Sequence, residues 1–465
     1  RPSIEKKTFQ STMWLYAAAI AGYIGIFAGS TPYGWSSPVL PLYDEENSPL
    51  TITEDEGAWI ASAFMLGNAI GPLMSLVISH LTGRKTLLIA ASLPWFIGWT
   101  MIIFARSPWE LFVSRIISGT GTGASFSVLP MYLGEIAPAN IRGILLTMIT
   151  MSQRLAILFA YAIYPFVSIQ TSALISLVLP VPFVCCFMWL PESPYYLIRC
   201  GRHEEAAESL TALRGTANIQ AELQTIKKSV KVEMASSGGL RELFCVPGNC
   251  KSMNIGLVLR LFQQCSGNQA IMMYTQTIFD QANVGLEGKY LAIIMGVIQV
   301  LGTVLCTWFV DRQGRRPALL FSAIGTMIST SAVAIYFHLQ YFNVSTDSIE
   351  WLPATGCMMY VVFFCCGYAP LPTTMNGELF STNVKSLGCA INVSFANFVG
   401  FLVGKSYQVV SQSIGVYVAF WIFTIANFWG SIFIYFWIPE TKGKTLQEIQ
   451  EELHHKKGQN VVTSL

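Results

Sequence analysis

Long apolar runs alternate with short polar connections along almost the whole chain. A membrane-spanning helix needs roughly 20 mostly apolar residues, and about a dozen stretches meet that requirement. Six precede a polar stretch from Pro191 to Lys251: Met13–Tyr33, Ala58–Ser79, Thr86–Phe104, Leu111–Leu133, Ile144–Tyr164 and Ala173–Leu190. Six follow it: Met253–Phe279, Tyr290–Val310, Ala318–Leu339, Leu352–Leu379, Ser386–Val410 and Val416–Ile438. This order predicts an all-α membrane protein of twelve transmembrane helices in two six-helix halves.

The polar stretch between the halves has a helical pattern of its own. Ala206, Leu210 and Leu213 recur at helical spacing, which predicts an amphipathic helix from Arg202 to Arg214. We therefore expect five segments: an N-terminal segment, a six-helix bundle, a helical linker, a second six-helix bundle and a tail. Their expected bounds are 1–12, 13–190, 191–251, 252–438 and 439–465.

A local repeat and the placement of basic residues predict duplication and orientation. Gly83-Arg84-Lys85 follows the second span, and Asp311-Arg-Gln-Gly-Arg-Arg316 follows the second span of the other half. Lysine and arginine concentrate in alternate connections, which is typical of cytoplasmic loops. We therefore expect a plasma-membrane protein with a cytoplasmic linker and both termini in the cytoplasm. Asn343-Val-Ser345 then lies in an outward loop and is a candidate glycosylation site.

Composition excludes several classes of function. Charged residues make up 12% of the chain, against about 25% in soluble domains. The net charge of +2 gives no basic signal for nucleic acid. The 11 cysteines include no Cys-x-x-Cys pair, and the polar segments carry no nucleophile–base constellation or phosphate loop. We expect no enzyme activity, no cofactor and no metal site.

Acidic and basic residues recur at equivalent helix ends of the two halves. Ion pairs among them could close the cytoplasmic side in an outward-open state and break when the halves rock. The alternative is ordinary positive-inside charge with incidental acids. The predicted cytoplasmic gate comprises Arg84, Glu135, Arg142, Glu192, Arg315, Arg316, Glu378, Lys385 and Glu440.

Amide side chains interrupt the seventh span, and Gly267 among them permits a bend. Polar groups at this depth are costly and commonly functional, and amides both donate and accept hydrogen bonds, which suits polyhydroxyl ligands. The alternative is amide pairing between helices. The predicted group is Gln263, Gln264, Asn268 and Gln269, with Tyr274 as a stacking surface. In the tenth span, Pro370 and Pro372 predict a broken helix.

The charged residues inside the spans predict transport that is not coupled to protons, and they include two arginines whose role the sequence does not decide. The first span has no aspartate or glutamate between Met13 and Gly34, whereas proton coupling needs a titratable group on the pathway. Arg154 lies about 18 Å along the fifth span from Arg142, and Arg115 lies in the fourth span. The two arginines either pair with backbone carbonyls or snorkel; the alternative is that Arg154 faces the cavity and shapes substrate choice.

Several motifs occur in order along the chain. They are Leu133-Gly-Glu-Ile-Ala-Pro, Arg142-Gly, Pro191-Glu-Ser-Pro, Phe262-Gln-Gln, Gly377-Glu-Leu and Pro439-Glu-Thr-Lys-Gly-Lys-Thr-Leu. With them the chain resembles the sugar-porter family of the major facilitator superfamily. Within that family it is most similar to the insect facilitated trehalose transporters, and next to the animal facilitative glucose transporters. The resemblance runs from Gly34 to Glu448.

The resemblance implies a major facilitator fold, alternating access and a sugar site at the membrane midplane. It places Gln263 and Gln264 on the sugar and adds Asp311 to the cytoplasmic gate. The chain departs from the family pattern in the cavity, where Gln269 replaces Asn, Thr373 replaces a sugar-stacking Trp and Ala396-Asn397 replaces an Asn-Trp pair. It also departs at two gate positions, where His80 replaces Asp and Tyr195 replaces Arg.

These features predict a facilitative, alternating-access uniporter of a sugar such as trehalose or glucose, or of a related small polar solute. The alternative is a sensor or attachment receptor that kept the fold and lost turnover, as the departures at His80, Tyr195 and Thr373 suggest. The expected partners are the solute and membrane lipid, without nucleic acid, and the expected state is a monomer.

Overall fold

A computed structural model describes residues 2–43, 48, 50–214, 219–235, 239–282, 285–381, 383–442 and 448. Within these ranges, the side chains of 2–12, 80, 139–140, 233, 235 and 306–311 are not described. The predicted gate residue Asp311 and the departure at His80 therefore lie outside the described side chains. The described residues form helices joined by short turns, and no strand occurs among them.

The helices before the polar stretch reproduce the six predicted spans, with the sixth split at Leu179. They are α1 (Pro2–Val39), α2 (Glu54–Thr82), α3 (Arg84–Phe104), α4 (Pro108–Ile136), α5 (Ala139–Ile163), α6 (Ile169–Val178) and α7 (Pro180–Trp189). The split falls one residue before Pro180, which begins α7 because proline lacks the amide hydrogen that a helix interior needs.

The polar stretch folds into four short helices, one of which lies beside the C-terminal end of α4. They are α8 (Pro194–Arg199), α9 (His203–Arg214), α10 (Ile219–Ala235) and α11 (Leu240–Cys245). As predicted, α9 buries Ala206, Leu210 and Leu213. The Arg214 guanidinium donates to the carbonyl of Ile136 at 2.7 Å, which ties the linker to the end of α4.

The second half repeats the layout of the first, with its first span broken into three pieces and its fourth into two. Its helices are α12 (Pro247–Cys265), α13 (Asn268–Met273), α14 (Thr275–Gln281), α15 (Gly288–Gln313), α16 (Arg315–Tyr341), α17 (Leu352–Cys366), α18 (Leu371–Leu379), α19 (Lys385–Ser413) and α20 (Val416–Trp437). The break between α17 and α18 falls at the prolines that predicted it.

Ten helical segments of the described chain are long and apolar enough to cross a membrane. The two predicted spans outside that group are α4, which carries Arg115, and the broken seventh span. These two spans can carry polar residues because the protein encloses them. α4 buries Arg115 and the glycines at 119, 121 and 123, and α12 buries Gln263 and Gln264. The chain is thus a multi-pass membrane protein of the predicted fold class.

The bundle has two ends of different character. We call the end that holds Arg84, Glu135, Arg315 and Glu378 the basic end, and the other the opposite end. Two apolar cores fill the bundle: one is built from the first half, the other from the second half together with residues 61, 64 and 65 of α2. α2 therefore contacts both halves.

Candidate functional site

The seventh span bends where the predicted amides cluster. Gly267 has a φ of 98°, in the left-handed region that favours glycine. A Cβ atom on Gly267 would lie 2.5 Å from the Phe423 ring, so a larger residue would also clash with α20. The bend ends α12 at Cys265 and starts α13 at Asn268, and it places amide side chains on both sides of a helix break.

The amides around this break differ in how far their hydrogen bonds are satisfied. The Gln263 side chain is held at both ends: its Oε1 accepts from Arg260 at 2.9 Å, and its Nε2 donates to the carbonyl of Tyr368. By contrast, Gln264 Oε1 and Asn268 Oδ1 are buried without a hydrogen-bond partner in the described part of the chain. Gln264 and Gln269 both lie beside Gly400 of α19. Unpaired buried acceptors are costly, so these positions suit a ligand that donates hydroxyl hydrogens.

Asn397 joins the two halves at the depth of the amides. The Asn68 side-chain amide of α2 donates to Asn397 Oδ1 at 2.9 Å and also to the hydroxyl of Tyr33. The predicted site residue Asn397 therefore belongs to a polar bridge that spans both halves. Sequence reasoning missed Asn68, although a lone amide in an apolar span was a usable signal.

The two arginines left open by the sequence have different roles. The Arg115 guanidinium donates to the carbonyl of Pro32 at 2.8 Å and to Ser36 Oγ at 3.0 Å, and it lies over the rings of Trp35 and Phe64. It therefore ties α4 to α1, which agrees with pairing to a backbone carbonyl.

Arg154 instead reaches across to the other half. Its Nη1 lies 3.4 Å from Gln299 Oε1 of α15, and its Nε has no partner among the described residues. Because Arg154 belongs to α5 and Gln299 to α15, this contact places Arg154 at the interface between the halves. No backbone carbonyl is among the described contacts of its side chain.

Sequence reasoning missed a third arginine in the spans, Arg260. It is 7% exposed, and its Nη2 donates to Thr373 Oγ1 at 2.9 Å. The predicted site residue Thr373 is thus the hydrogen-bond acceptor of a buried cation. A usable signal existed, because a charge in a span is expensive and Arg260 lies four residues before Gln264, on the same helix face.

Tyr274 does not join the amides. Its ring packs against Tyr407 with ring centroids 5.2 Å apart. Both rings line a cavity of about 260 Å³ at the opposite end, together with Ser36 and Tyr43 of the first half. The predicted stacking surface therefore faces a vestibule rather than the amide cluster.

The predicted gate residues of the first half form one cluster. Arg84 pairs with Glu135 at 3.1 Å, and Ser193 also bonds to Glu135. Glu192 accepts the backbone amides of Arg84 and Lys85 at 3.1 and 3.0 Å. Gly83 has a φ of 83°, and a Cβ atom there would lie 2.5 Å from Glu192, so glycine is what lets the carboxylate approach the start of α3.

The second half repeats this cluster with equivalent residues. Arg315 pairs with Glu378 at 3.0 Å, and Glu440 accepts the backbone amides of Arg315 and Arg316 at 3.0 Å each. Gly314 has a φ of 95° and lies next to Glu440, as Gly83 lies next to Glu192. The recurrence of the whole arrangement supports duplication.

The carboxyl of Glu440 is ionised at neutral pH. Partial burial raises its pKa, but the backbone amides of Lys442, Arg315 and Arg316 outweigh burial and leave the pKa below its ordinary value of 4.5. A lowered carboxyl pKa stabilises the folded arrangement above the ordinary pKa. This contact is therefore complete at neutral pH and is lost only as the pH falls through the lowered pKa.

The remaining gate residues do not pair with acids here. Arg142 donates to the carbonyl of Ala137 at 3.3 Å, and the Lys385 side chain passes beside Gly377. In the described part of the chain, neither lies within ion-pair distance of a carboxylate. The sequence predicts pairs that join the halves when the basic end is closed, whereas the described ion pairs among the predicted gate residues run within each half.

Contacts between the halves lie instead at mid-depth and at the opposite end. Lys405 pairs with Asp55. The backbone amide of Gln276 donates to Ser37 Oγ at 3.1 Å, and the Tyr161 hydroxyl donates to the carbonyl of Met272 at 2.8 Å. These contacts join the halves at mid-depth and at the opposite end, whereas the predicted gate residues lie in two separate clusters at the basic end.

The sequence and the fold both have known counterparts. The profile of the family described as "Sugar (and other) transporter" matches residues 9–453. The chain is 30% identical over 442 residues to the facilitated trehalose transporter Tret1 of Polypedilum vanderplanki, covering 94% of this chain and 87% of that protein. It is 28% identical over 451 residues to Tret1 of Bombyx mori, covering 96% and 89%.

Two solved structures share the fold. The first is the major facilitator superfamily proton:xylose symporter XylE bound to 6-bromo-6-deoxy-D-glucose, with a TM-score of 0.76, 22% identity and coverage of 95% of this chain and 100% of that one. The second is a partially occluded inward open conformation of XylE from E. coli, with a TM-score of 0.77, 22% identity and coverage of 93% and 100%.

Proposed function

The chain belongs to the sugar (and other) transporter family, and from that premise we propose that it is a facilitative, alternating-access uniporter of a sugar or a related small polar solute. The two relatives reported above are facilitated trehalose transporters. The observation that supports this function best is the set of unpaired buried acceptors at the broken seventh span, Gln264 and Asn268. Such acceptors match the hydroxyl hydrogens of a sugar.

The proposed site lies between the halves. Gln263, Gln264 and Gln269 form one wall, and Asn397 joins it to α2. Thr373 and Arg260 form the part of the wall that is nearer the basic end. We propose that Asn268 contributes from the start of α13, and that Tyr274 lines the route from the opposite end.

We further propose that the basic end is cytoplasmic, because lysine and arginine concentrate in its loops. Both termini and the linker then lie in the cytoplasm of a cell whose plasma membrane holds the protein. Asn343 is exposed in the loop after α16 at the opposite end, which agrees with a glycan on the outer face. We propose that residues 13–190 and 252–438 form the two bundles and that residues 191–251 form the linker. Lipid surrounds the bundles, and the protein is a monomer.

The predicted gate can be tested by measuring which end of the bundle is open. We expect Glu378→Gln to favour the state that is open at the basic end, because the neutral amide weakens every ion pair that closes that end. Ser37 is 1% exposed in the present state. A Ser37→Cys variant, in a background without exposed native cysteines, should therefore react more slowly with an impermeant maleimide once Glu378→Gln is added.

Glu204→Gln provides the matched control for this gate experiment, because Glu204 is exposed on the linker helix α9. Arg142→Ala should act in the same direction as Glu378→Gln. Labelling and transport that match the control in both variants would contradict the gate.

The coupling prediction tests the function itself. We expect purified protein in liposomes to let labelled solute equilibrate without accumulation, since the first span carries no acid between Met13 and Gly34 to couple a proton. Uptake would be measured with the membrane potential held at zero, with and without an imposed pH gradient. Accumulation that follows the pH gradient and disappears with a proton ionophore would contradict uniport, and a folded protein that moves no solute would favour the sensor alternative.

A further inference from the structure

Three arginines lie within the spans, and no acid accompanies them there. Between Leu111 and Leu133, between Ala139 and Leu190, and between Pro247 and Phe279 the sequence has no aspartate or glutamate. A charge transferred from water into the bilayer region is costly unless it is paired. Each of these arginines therefore needs either a set of neutral partners or a negatively charged ligand.

Arg115 shows what a structural arginine looks like in this fold. A backbone carbonyl of α1, a serine hydroxyl and two aromatic rings surround its guanidinium. These partners are fixed by the packing of α4 on α1 and leave Arg115 1% exposed in a solid core. Its Nε and Nη1 are also buried without a hydrogen-bond partner among the described residues, so an unpaired guanidinium nitrogen does not by itself mark a ligand site in this fold.

Arg260 lacks such an environment. Its hydrogen-bond partners are two neutral side chains of the proposed cavity, Gln263 Oε1 and Thr373 Oγ1, both at 2.9 Å. Its Nε is buried without a partner in the described part of the chain. The acid of α18, Glu378, is five residues beyond Thr373 and is already paired with Arg315 at 3.0 Å.

Arg260 and the unpaired acceptor of Gln264 lie on one face of α12. They are four residues apart, which is about 6 Å along a helix and comparable to the length of one sugar ring. A guanidinium binds a carboxylate through two parallel hydrogen bonds, a stronger arrangement than the single bonds that Arg260 forms with the neutral side chains of Gln263 and Thr373. Thr373, at the position of the family's Trp, leaves room for such a group.

We propose that the solute is an anion of monosaccharide size, a sugar that carries a carboxylate, with the carboxylate on Arg260 and a hydroxyl on Gln264. Arg154, at the interface between the halves with its Nε free, adds positive charge at the same depth of the bundle. The inference rests on the proposed function, because it names the substrate class of that transporter. It predicts that transport carries charge, whereas transport of a neutral sugar by the same route does not.

D-Glucuronate and D-glucose are the matched probes, because they differ only in a carboxylate in place of the hydroxymethyl group. In liposomes that contain the full-length protein, we expect glucuronate to enter faster than glucose. A potential of about 100 mV, positive inside, should drive glucuronate to roughly 50-fold accumulation, which follows from about 2.3 kcal/mol per charge. Glucose should reach equal concentrations at any potential.

Three variants separate charge from structure. Arg260→Gln should lower glucuronate uptake by at least tenfold and leave or raise glucose uptake, whereas Arg260→Lys keeps the charge and should retain part of the preference for glucuronate. Lys251→Gln removes the same charge from an exposed position on the same helix and should change neither. Circular dichroism and size-exclusion profiles would verify folding of each variant.

The outcomes distinguish this inference from the proposed function. Glucuronate uptake that follows the potential and falls in Arg260→Gln supports both. Uptake of glucose or trehalose that ignores the potential, with glucuronate excluded, overturns the anion inference and leaves the transporter intact. No uptake of any of the three sugars, together with no thermal shift by any of them on folded protein, overturns both.

Discussion

Replacement of Gly119 by alanine is expected to destabilise the folded protein more than any other single-methyl change in α4. A Cβ atom on Gly119 would lie 2.2 Å from the carbonyl oxygen of Phe64 in α2. That atom belongs to the backbone and cannot rotate away, so the two helices would have to separate. Overpacking of this kind costs about 1–3 kcal/mol or more. The readout is the melting temperature of purified protein in detergent.

The same helix offers a matched control for this substitution. Gly134 has no atom within 4 Å of the position where its Cβ would be. Gly134→Ala should therefore leave the melting temperature unchanged or raise it slightly, because alanine favours the helix. Equal melting temperatures for the two variants would contradict the close packing of α2 on α4.

Separation of α2 from α4 also has a functional consequence. α2 carries Asn68, which donates to Asn397 of the other half at 2.9 Å. Any Gly119→Ala protein that does fold should therefore bind solute more weakly. A solute-induced thermal shift that is unchanged in the folded fraction would argue against a role for the Asn68–Asn397 bridge in the site.

Replacement of Gln264 by alanine is expected to weaken solute binding by roughly five- to 150-fold, equivalent to about 1–3 kcal/mol. The expected loss of affinity follows from the hydrogen bond that the solute no longer forms. Gln264 Oε1 has no partner in the described part of the chain, so its removal breaks no internal hydrogen bond and should not unfold the protein. Affinity would be measured by isothermal calorimetry or by the concentration dependence of the thermal shift.

One neighbouring amide and one distant amide make this experiment specific. Gln263 is held by Arg260 and by the carbonyl of Tyr368, so Gln263→Ala should lower both stability and affinity. Gln340, at the far end of α16, provides an amide control whose loss should affect neither. If affinity ignores Gln264→Ala and the protein still binds a sugar, the solute does not use the proposed cavity.

The apolar runs alone determined much of the fold. Because lipid offers no hydrogen bonds to the backbone, each run of roughly 20 apolar residues must form a helix, and the order of runs then gives two halves. The breaks were also predictable, since Gly267 and Pro370 act locally. Gly83 and Gly314 recur before equivalent Arg residues, and both adopt the same left-handed conformation beside a glutamate.

The candidate site was only partly predictable, as the gate residues and the amides show. Their chemical type and depth follow from position along a span. Whether a given pair forms within one half or across both depends on how the helices pack, which no local pattern specifies. Here Arg84 pairs with Glu135 inside the first half, and Arg315 pairs with Glu378 inside the second.

The sequence by itself determined which side chains are expensive to bury, and the tertiary structure decided what each of them meets. Arg115, Arg154 and Arg260 are equivalent charges in apolar spans, and no local pattern separates them. Their partners lie 83, 145 and 113 positions away along the chain. Those partners are set by how the helices dock, because the cost of burying a charge is a local property whereas its compensation is made by a different helix. Hence one of the three arginines ties α4 to α1, one lies between the halves, and one lies beside the proposed site.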